Sequence, residues 1–181
     1  MLIITGMPGS GKDEFIKVAR THGWKDYHMG DTVRKYARMN GINENDGSIG
    51  AFSNRERELY GMDIWARRLV EDIKEKNHVI VDGLRNMEEF SYFQKVSPNL
   101  VLVAIHTDRD ERLKRIVRRQ RPDDIREMDE LVKRDERELS WGIGKAISLA
   151  DYMIVNDSTL EEFKANVESL LERIEKEHPE V

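Results

Sequence analysis

The sequence predicts an α/β domain: a five-stranded parallel sheet with helices on both faces. Three observations lead there. Short, β-rich apolar runs alternate with amphipathic helical stretches, which is the pattern of strand–helix–strand crossovers. The run Leu100-Val101-Leu102-Val103-Ala104-Ile105-His106 is almost continuously apolar, as a strand covered on both faces requires. No linker, repeat or low-complexity stretch divides the 181 residues, so residues 1–181 are expected to form one domain.

The first strand is Leu2-Ile3-Ile4-Thr5, and Gly6-Met7-Pro8-Gly9-Ser10-Gly11-Lys12 follows it directly. This G-x-x-x-x-G-K run, with a helix beginning at about Asp13, is expected to be a phosphate-binding loop. Its backbone N–H groups converge on one point, and the helix N-terminus adds positive partial charge. The glycines admit close approach of an anion, and Lys12 supplies a mobile cation for the β- and γ-phosphates of a nucleotide. The candidate nucleotide contacts are residues 6–12 together with Asp13 and Glu14. The residue after the lysine is ordinarily Ser or Thr, whose hydroxyl ligates Mg²⁺; here it is Asp13. A carboxylate there serves as a metal ligand, as a general base, or only as a helix cap.

A short second strand is expected near Asp26-Tyr27-His28. In Met29-Gly30-Asp31-Thr32-Val33-Arg34, Gly30 breaks the chain, Asp31 can cap, and Arg34 lies one turn into the next helix. Residues 40–50, with Gly41, Gly47 and Gly50, read as irregular, and a helix rich in Arg55, Glu56, Arg57 and Glu58 follows. The third strand, His78-Val79-Ile80-Val81-Asp82, ends in a carboxylate placed to reach Mg²⁺ or its water shell. Arg85, just beyond it, can fork onto a phosphate.

After the fourth strand, at 100–106, comes a helix with Leu113, Ile116 and Val117 on one face. It carries Arg115, Arg118, Arg119 and Arg121, followed by Pro122-Asp123-Asp124. Four arginines in seven residues make either a cationic lid over developing phosphoryl charge or a solvated face paired with Asp108, Asp110 and Glu111. Arg134 and Arg137 are candidates for a further contact after the lid. The last strand is Tyr152-Met153-Ile154-Val155, and Asn156-Asp157 reads as a turn plus cap. A final helix places Leu160, Phe163, Val167, Leu170 and Ile174 on one face. Trp65 and Trp141 read as core residues rather than stacking platforms.

Composition narrows the function. Thirty Lys+Arg against thirty-five Asp+Glu give a net charge of −5, so no general affinity for nucleic acid is expected. The absence of cysteine excludes disulfides, thiolate nucleophiles and Cys-type zinc sites. No apolar run approaches the roughly 18 residues that span a bilayer, and the N-terminal run reads as a core strand rather than a signal peptide. The five histidines show no H-E-x-x-H spacing. A cytoplasmic enzyme is expected, with a nucleotide and a small molecule as partners and no membrane.

Gly30-Asp31-x-x-Arg34 resembles the G-D-x-x-R of adenylate kinases, and Asp82-Gly83-Leu84-Arg85 is similar to their D-G-F-P-R, with the arginine one residue early. Arg121-Pro122-Asp123-Asp124 resembles the R-x-D-D of their lid in miniature. The A-D-x-x-I-x-N of residues 150–156 is similar to dephospho-CoA kinases, and G-K-D also occurs in certain phosphomevalonate and phage deoxynucleotide kinases. The chain thus resembles the P-loop nucleoside monophosphate kinase superfamily, and most of all an archaeal family described as adenylate-kinase-related or dephospho-CoA-kinase-like. The resemblance implies a three-layer P-loop NTPase with a helical acceptor-binding segment at 30–75 and a short lid region at 115–140. It implies ATP and Mg²⁺ as cofactors and a small phosphorylated acceptor, first of all a nucleoside monophosphate. Asp31, Arg34 and Arg85 then take the acceptor, Asp13 and Asp82 the magnesium, while Lys12, Asp13, Arg118 and Arg121 act in the transfer. Asn156 and Asp157 fall in the loop whose backbone recognises the donor adenine in such kinases. Two alternatives stay open. One is a dephospho-CoA kinase, whose hydroxyl acceptor needs a base such as Asp13; the other is a regulatory or slow P-loop NTPase without kinase activity. The N-K-x-D of GTPases and the L-S-G-G-Q of transporter ATPases are absent.

Overall fold

The computed structural model describes residues 1–43, 45–75, 77–119 and 125–181. Five strands form one parallel sheet: β1 (Leu2–Thr5), β2 (Lys25–His28), β3 (Val79–Asp82), β4 (Val101–His106) and β5 (Tyr152–Val155), in the order β2-β3-β1-β4-β5. The register sets Ile3 of β1 opposite Val81 on one side and Leu102 on the other. Helices connect the strands: α1 (Lys12–Thr21), α2 (Met29–Met39), α3 (Asp46–Tyr60), α4 (Ile64–Val70), α5 (Met87–Val96), α6 (Arg109–Arg119), α7 (Met128–Trp141), α8 (Ile143–Ser148) and α9 (Leu160–Glu177).

Side chains alternate across a strand, so β1 feeds two cores. Leu2 and Ile4 pack with Phe15 and Ile16 of α1 and with Phe163, Val167 and Leu171 of α9. Ile3 packs on the other face with Met29, Trp65, Leu69 and Phe93 from α2, α4 and α5. Burying the central strands from both sides drives the fold and explains their unbroken apolar runs. The edge strand β2, Lys-Asp-Tyr-His, is polar because one side of it meets solvent. Among the described residues, no helix is long and apolar enough to cross a membrane.

Several boundaries differ from expectation. His78 has φ 54, outside the strand region, so β3 begins at Val79. The irregular stretch at 40–50 is shorter than its composition suggests. The Asn45 side chain accepts the Ser48 N–H and starts α3 there, which takes Gly47 and Gly50 into the helix. Likewise β2 runs straight into α2, so Gly30 and Asp31 lie in its first turn and Asp31 is not the cap. The cap of α9 is Thr159 in a capping box with Glu162, leaving Asn156 and Asp157 ahead of the cap. Val117 and Leu160 are exposed, and Leu171 rather than Leu170 is fully buried on α9. Ile116 is buried as expected, and so are Trp65 and Trp141.

Candidate active site

A cleft of about 940 Å³ opens where β1, β2 and β3 end, lined by the glycine loop, Asp82 and Arg85. Ligands bind at this end of a parallel sheet because the loops there gather the helix N-termini. Such a volume suffices for a nucleotide-sized ligand. The loop is seated tightly: at Gly6, φ is 151, and a Cβ would stand 2.5 Å from the Ile105 carbonyl oxygen. Gly11, with φ 108, caps α1, and a Cβ there would collide with the Asn156 amide. Lys12 Nζ donates to the Gly6 and Met7 carbonyls at 2.7 and 3.2 Å. Burial pulls its pKa down to about 8, against the opposing pull of Asp82. A bound triphosphate would offer that ammonium charged oxygens in place of loop carbonyls.

β3 sets Asp82 beside the loop because it pairs directly with β1. His28 Nδ1 stands 3.3 Å from Asp82, and its Nε2 stands 2.8 Å from Asp26. The Asp82 hydrogen bond raises His28 to about 9 despite partial burial, and Asp26 adds to the rise. The ring is then an imidazolium at neutral pH and donates from both nitrogens. Asp26 in turn accepts two bonds from Arg20, at 2.7 Å each. Burial pushes Asp82 upward, yet His28, Lys12 and Arg85 together hold it below the usual carboxylate range. Its Oδ1 is buried without a hydrogen-bond partner among the described residues.

A second cavity of about 90 Å³ adjoins the first, sharing Arg34, Arg85 and Arg134 with it. Arg57, Arg137 and Trp141 complete its cationic and aromatic wall. Arg34 pairs with Asp31 at 2.8 Å. Arg85 pairs with the buried Glu138 of α7, and its Nη1 is buried without a hydrogen-bond partner among the described residues. Burial opposes the charge of Glu138, but Arg85 and Arg134 outweigh it and keep the carboxylate ionised. Arg57 is 4% exposed, pairs with Glu89 at 3.0 Å and lies 4.3 Å from the Trp141 ring centroid.

The arginines of α6 divide into two groups. Arg115 Nη2 donates to the Asn156 carbonyl at 3.3 Å and Nε to Glu111 at 3.1 Å, so it braces the β5 loop. The Asn156 side chain donates to the Ser10 carbonyl at 3.0 Å, holding the glycine loop from beneath. Arg118 and Arg119 line the cleft together with Arg115, and Arg119 stands 3.5 Å from Asp13. Arg112, deeper on the helix, donates to the Pro8 carbonyl at 3.1 Å and to both oxygens of Asp135 on α7. Arg121 and the Pro122-Asp123-Asp124 segment lie outside the described residues.

Of the residues singled out from sequence, Pro8, Gly9, Ser10, Gly11, Lys12, Asp13 and Glu14 line the cleft, and so do Asp31, Arg34, Asp82, Arg85, Arg115, Arg118, Arg119, Arg134 and Asn156. Gly6 and Met7 contribute the carbonyls that hold Lys12. Asp157 is exposed and is not part of that lining, although its neighbours Asn156 and Ser158 are. His28, Glu138 and the Arg112–Asp135 pair went unnoticed in the sequence because each acts through a partner distant along the chain.

Comparison with known proteins agrees with this geometry. A family model described as an AAA domain matches residues 2–138. UPF0200 protein Ta0179 of Thermoplasma acidophilum is 57% identical over 171 residues, covering 94% of each chain. A UPF0200 protein of Sulfurisphaera tokodaii is 43% identical, covering 96% of this chain and 97% of its own length. The fold resembles a shikimate kinase from Bacteroides thetaiotaomicron, with TM-score 0.62, 17% identity and coverage of 94% and 97% of the two chains. It also resembles a dephospho-CoA kinase from Campylobacter jejuni, with TM-score 0.56, 17% identity and coverage of 97% and 96%. The loop, the sheet order and these matches lead to one conclusion: the chain has a P-loop kinase-like fold and belongs to the UPF0200 family, whose relatives are archaeal.

Proposed function

We propose that the protein is an ATP- and Mg²⁺-dependent phosphotransferase acting on a small phosphorylated acceptor, with a nucleoside monophosphate the first candidate. The observation that carries this reading is the continuity between the phosphate loop and a second cavity walled by arginines. Loop and Lys12 would hold the donor, α2 to α4 with Arg34 and Arg85 would hold the acceptor phosphate, and Arg118 with Arg121 would close over the transferring group. An acceptor phosphate oxygen forms the new bond to the γ-phosphorus as the bond to the β,γ-bridging oxygen breaks, and that electron pair leaves with ADP.

The state of the carboxylates favours a phosphate over a hydroxyl acceptor. A hydroxyl needs a base, whereas a phosphate oxygen is already ionised. Among the described residues, each carboxylate lining the two cavities is within ion-pair range of a cation: Asp13 with Arg119, Glu14 with Lys17, Asp31 with Arg34, Asp82 with His28, Glu111 with Arg115 and Glu138 with Arg85. Glu138 and Asp82 are held below their usual pKa, which suits charge balance rather than proton transfer.

Asp82, with its orphaned Oδ1, and Asp13, in the cleft, fit Mg²⁺, which takes one or two protein carboxylates and completes its shell with water and substrate phosphates. When bound, the ion would neutralise charge on the phosphates.

The test is ADP formation from Mg-ATP with AMP, CMP, UMP, GMP, the deoxynucleoside monophosphates and dephospho-CoA. Turnover with a nucleoside monophosphate supports the reading; turnover with dephospho-CoA alone makes Asp13 the candidate base. ATP binding without acceptor-dependent turnover would defeat it in favour of a regulatory or slow NTPase. A second expectation concerns His28. His28→Ala should raise the Mg²⁺ concentration for half-maximal turnover about tenfold, the usual consequence of losing the partner that orients a ligand. His28→Asn, which keeps a donor toward Asp82, should recover part of it. An unchanged Mg²⁺ requirement in the alanine variant would show that Asp82 needs no such support.

A further inference from the structure

Gly50 lies in the interior of α3, where a glycine ordinarily weakens a helix relative to alanine. Its surroundings give a reason for it. A Cβ on Gly50 would stand 2.6 Å from Cζ, 2.7 Å from Nε and 2.9 Å from Nη1 of Arg137, all within one guanidinium. That guanidinium therefore lies directly against the α3 backbone, and it reaches there from α7 on the opposite wall of the second cavity. Its Cζ is 5.8 Å from the centroid of Trp141, whose other close cation is Arg57. Three features thus converge on one spot: a helix position left without a side chain, a cation laid across it, and an aromatic ring beside it.

We propose that Arg137, seated on Gly50, is a specificity-determining residue that binds the anionic group of the acceptor in the second cavity. The proposal rests on the reading of that cavity as the acceptor site. Arg34 and Arg85 reach the cavity from the β2 and β3 ends and serve both compartments. Arg137 belongs to the second cavity alone, so its contact distinguishes acceptors without touching the donor. A guanidinium presents paired N–H donors in a fixed plane, which suits a phosphate or carboxylate approached edge-on. The Gly50 seat makes room for that plane, because a methyl group at this position would stand only 2.6 Å from the guanidinium carbon.

The obstruction would fall on the flexible end of a side chain, so Gly50→Ala should leave the fold intact and push Arg137 aside. Alanine also favours the helix. One substitution should therefore raise Tm and weaken anion binding together, and a merely structural role for Gly50 would not give that combination.

The experiment compares wild type, Gly50→Ala, Arg137→Ala and the double variant, each saturated with a non-hydrolysable ATP analogue so that the glycine loop is filled. Inorganic phosphate is then titrated, followed by ³¹P NMR. Each single variant should weaken phosphate binding about tenfold, and the double variant should be no weaker than Arg137→Ala. Arg137→Lys should restore only part of the affinity, since the fork is lost. Equal affinity in all four proteins would overturn the proposal, as would additive losses or a wild type that binds no phosphate beside the analogue. Absence of turnover in the acceptor panel, with phosphate binding behaving as expected, would instead count against the kinase reading.

Discussion

Lys12→Met should abolish useful turnover while leaving the protein folded. The ammonium bonds to the Gly6 and Met7 carbonyls, so its loss removes two exchangeable contacts from a loop still braced by Asn156 and Arg112. The lost charge would otherwise lie on the β- and γ-phosphates, where negative charge shifts toward the leaving group during transfer. Removing one such preorganised donor costs about 10²–10³-fold in kcat. ATP affinity should fall as well, while Tm without nucleotide stays close to wild type. Isothermal titration and steady-state rates decide the matter. Wild-type affinity in Lys12→Met would remove this loop from the nucleotide site.

The second large effect is on stability. Arg57→Leu should destabilise the protein by about 3–5 kcal/mol, the usual result of stranding one partner of a buried ion pair. For a chain of this length that lowers Tm by roughly 10 °C. Glu89 is 0% exposed, and burial already raises its pKa. Without Arg57 it retains the Arg85 backbone N–H at 2.7 Å, which does not balance a full charge. Substituting both residues, Arg57→Leu with Glu89→Gln, should recover part of the loss, because no unpaired charge then remains. Urea unfolding of the three variants gives the comparison, and a loss below about 1 kcal/mol in Arg57→Leu would show that water reaches Glu89.

What the sequence disclosed and what it hid follow from distance along the chain. The glycine loop was legible because strand, turn, lysine and helix are consecutive, and the same holds for Asp82 at the end of an apolar run. The strands β1, β3 and β4 were legible because they are buried on both faces and need unbroken apolar stretches. His28 was not legible: its bond to Asp82 spans 54 residues, and a lone histidine ending a short polar strand has no periodic signature. Arg112 and Asp135, 23 residues apart, looked like two more charges in charge-rich helices, and only the packing of α6 on α7 buries them together. Arg115 has two roles that spacing alone did not separate: it lines the cleft with Arg118 and Arg119, and it holds the Asn156 loop. Gly47 and Gly50 misled for a physical reason too. Their propensity argues for a break, but the Asn45 cap nucleates the helix, and the Arg137 contact gives Gly50 a use there.

The bond from Arg112 to the Pro8 carbonyl has a consequence for how the two ends of the cleft communicate. Asp135, which receives both arms of Arg112, is flanked in sequence by Arg134 and lies half a helical turn from Arg137. The glycine loop is therefore tied through Arg112 and Asp135 to the helix that carries Arg134 and Arg137. On the proposed reading, a nucleotide that displaced Pro8 would load that helix, and an acceptor held by Arg137 would load the loop. Thermodynamics makes such a connection run equally in both directions, so whatever gain in affinity one substrate confers on the other, it receives in return.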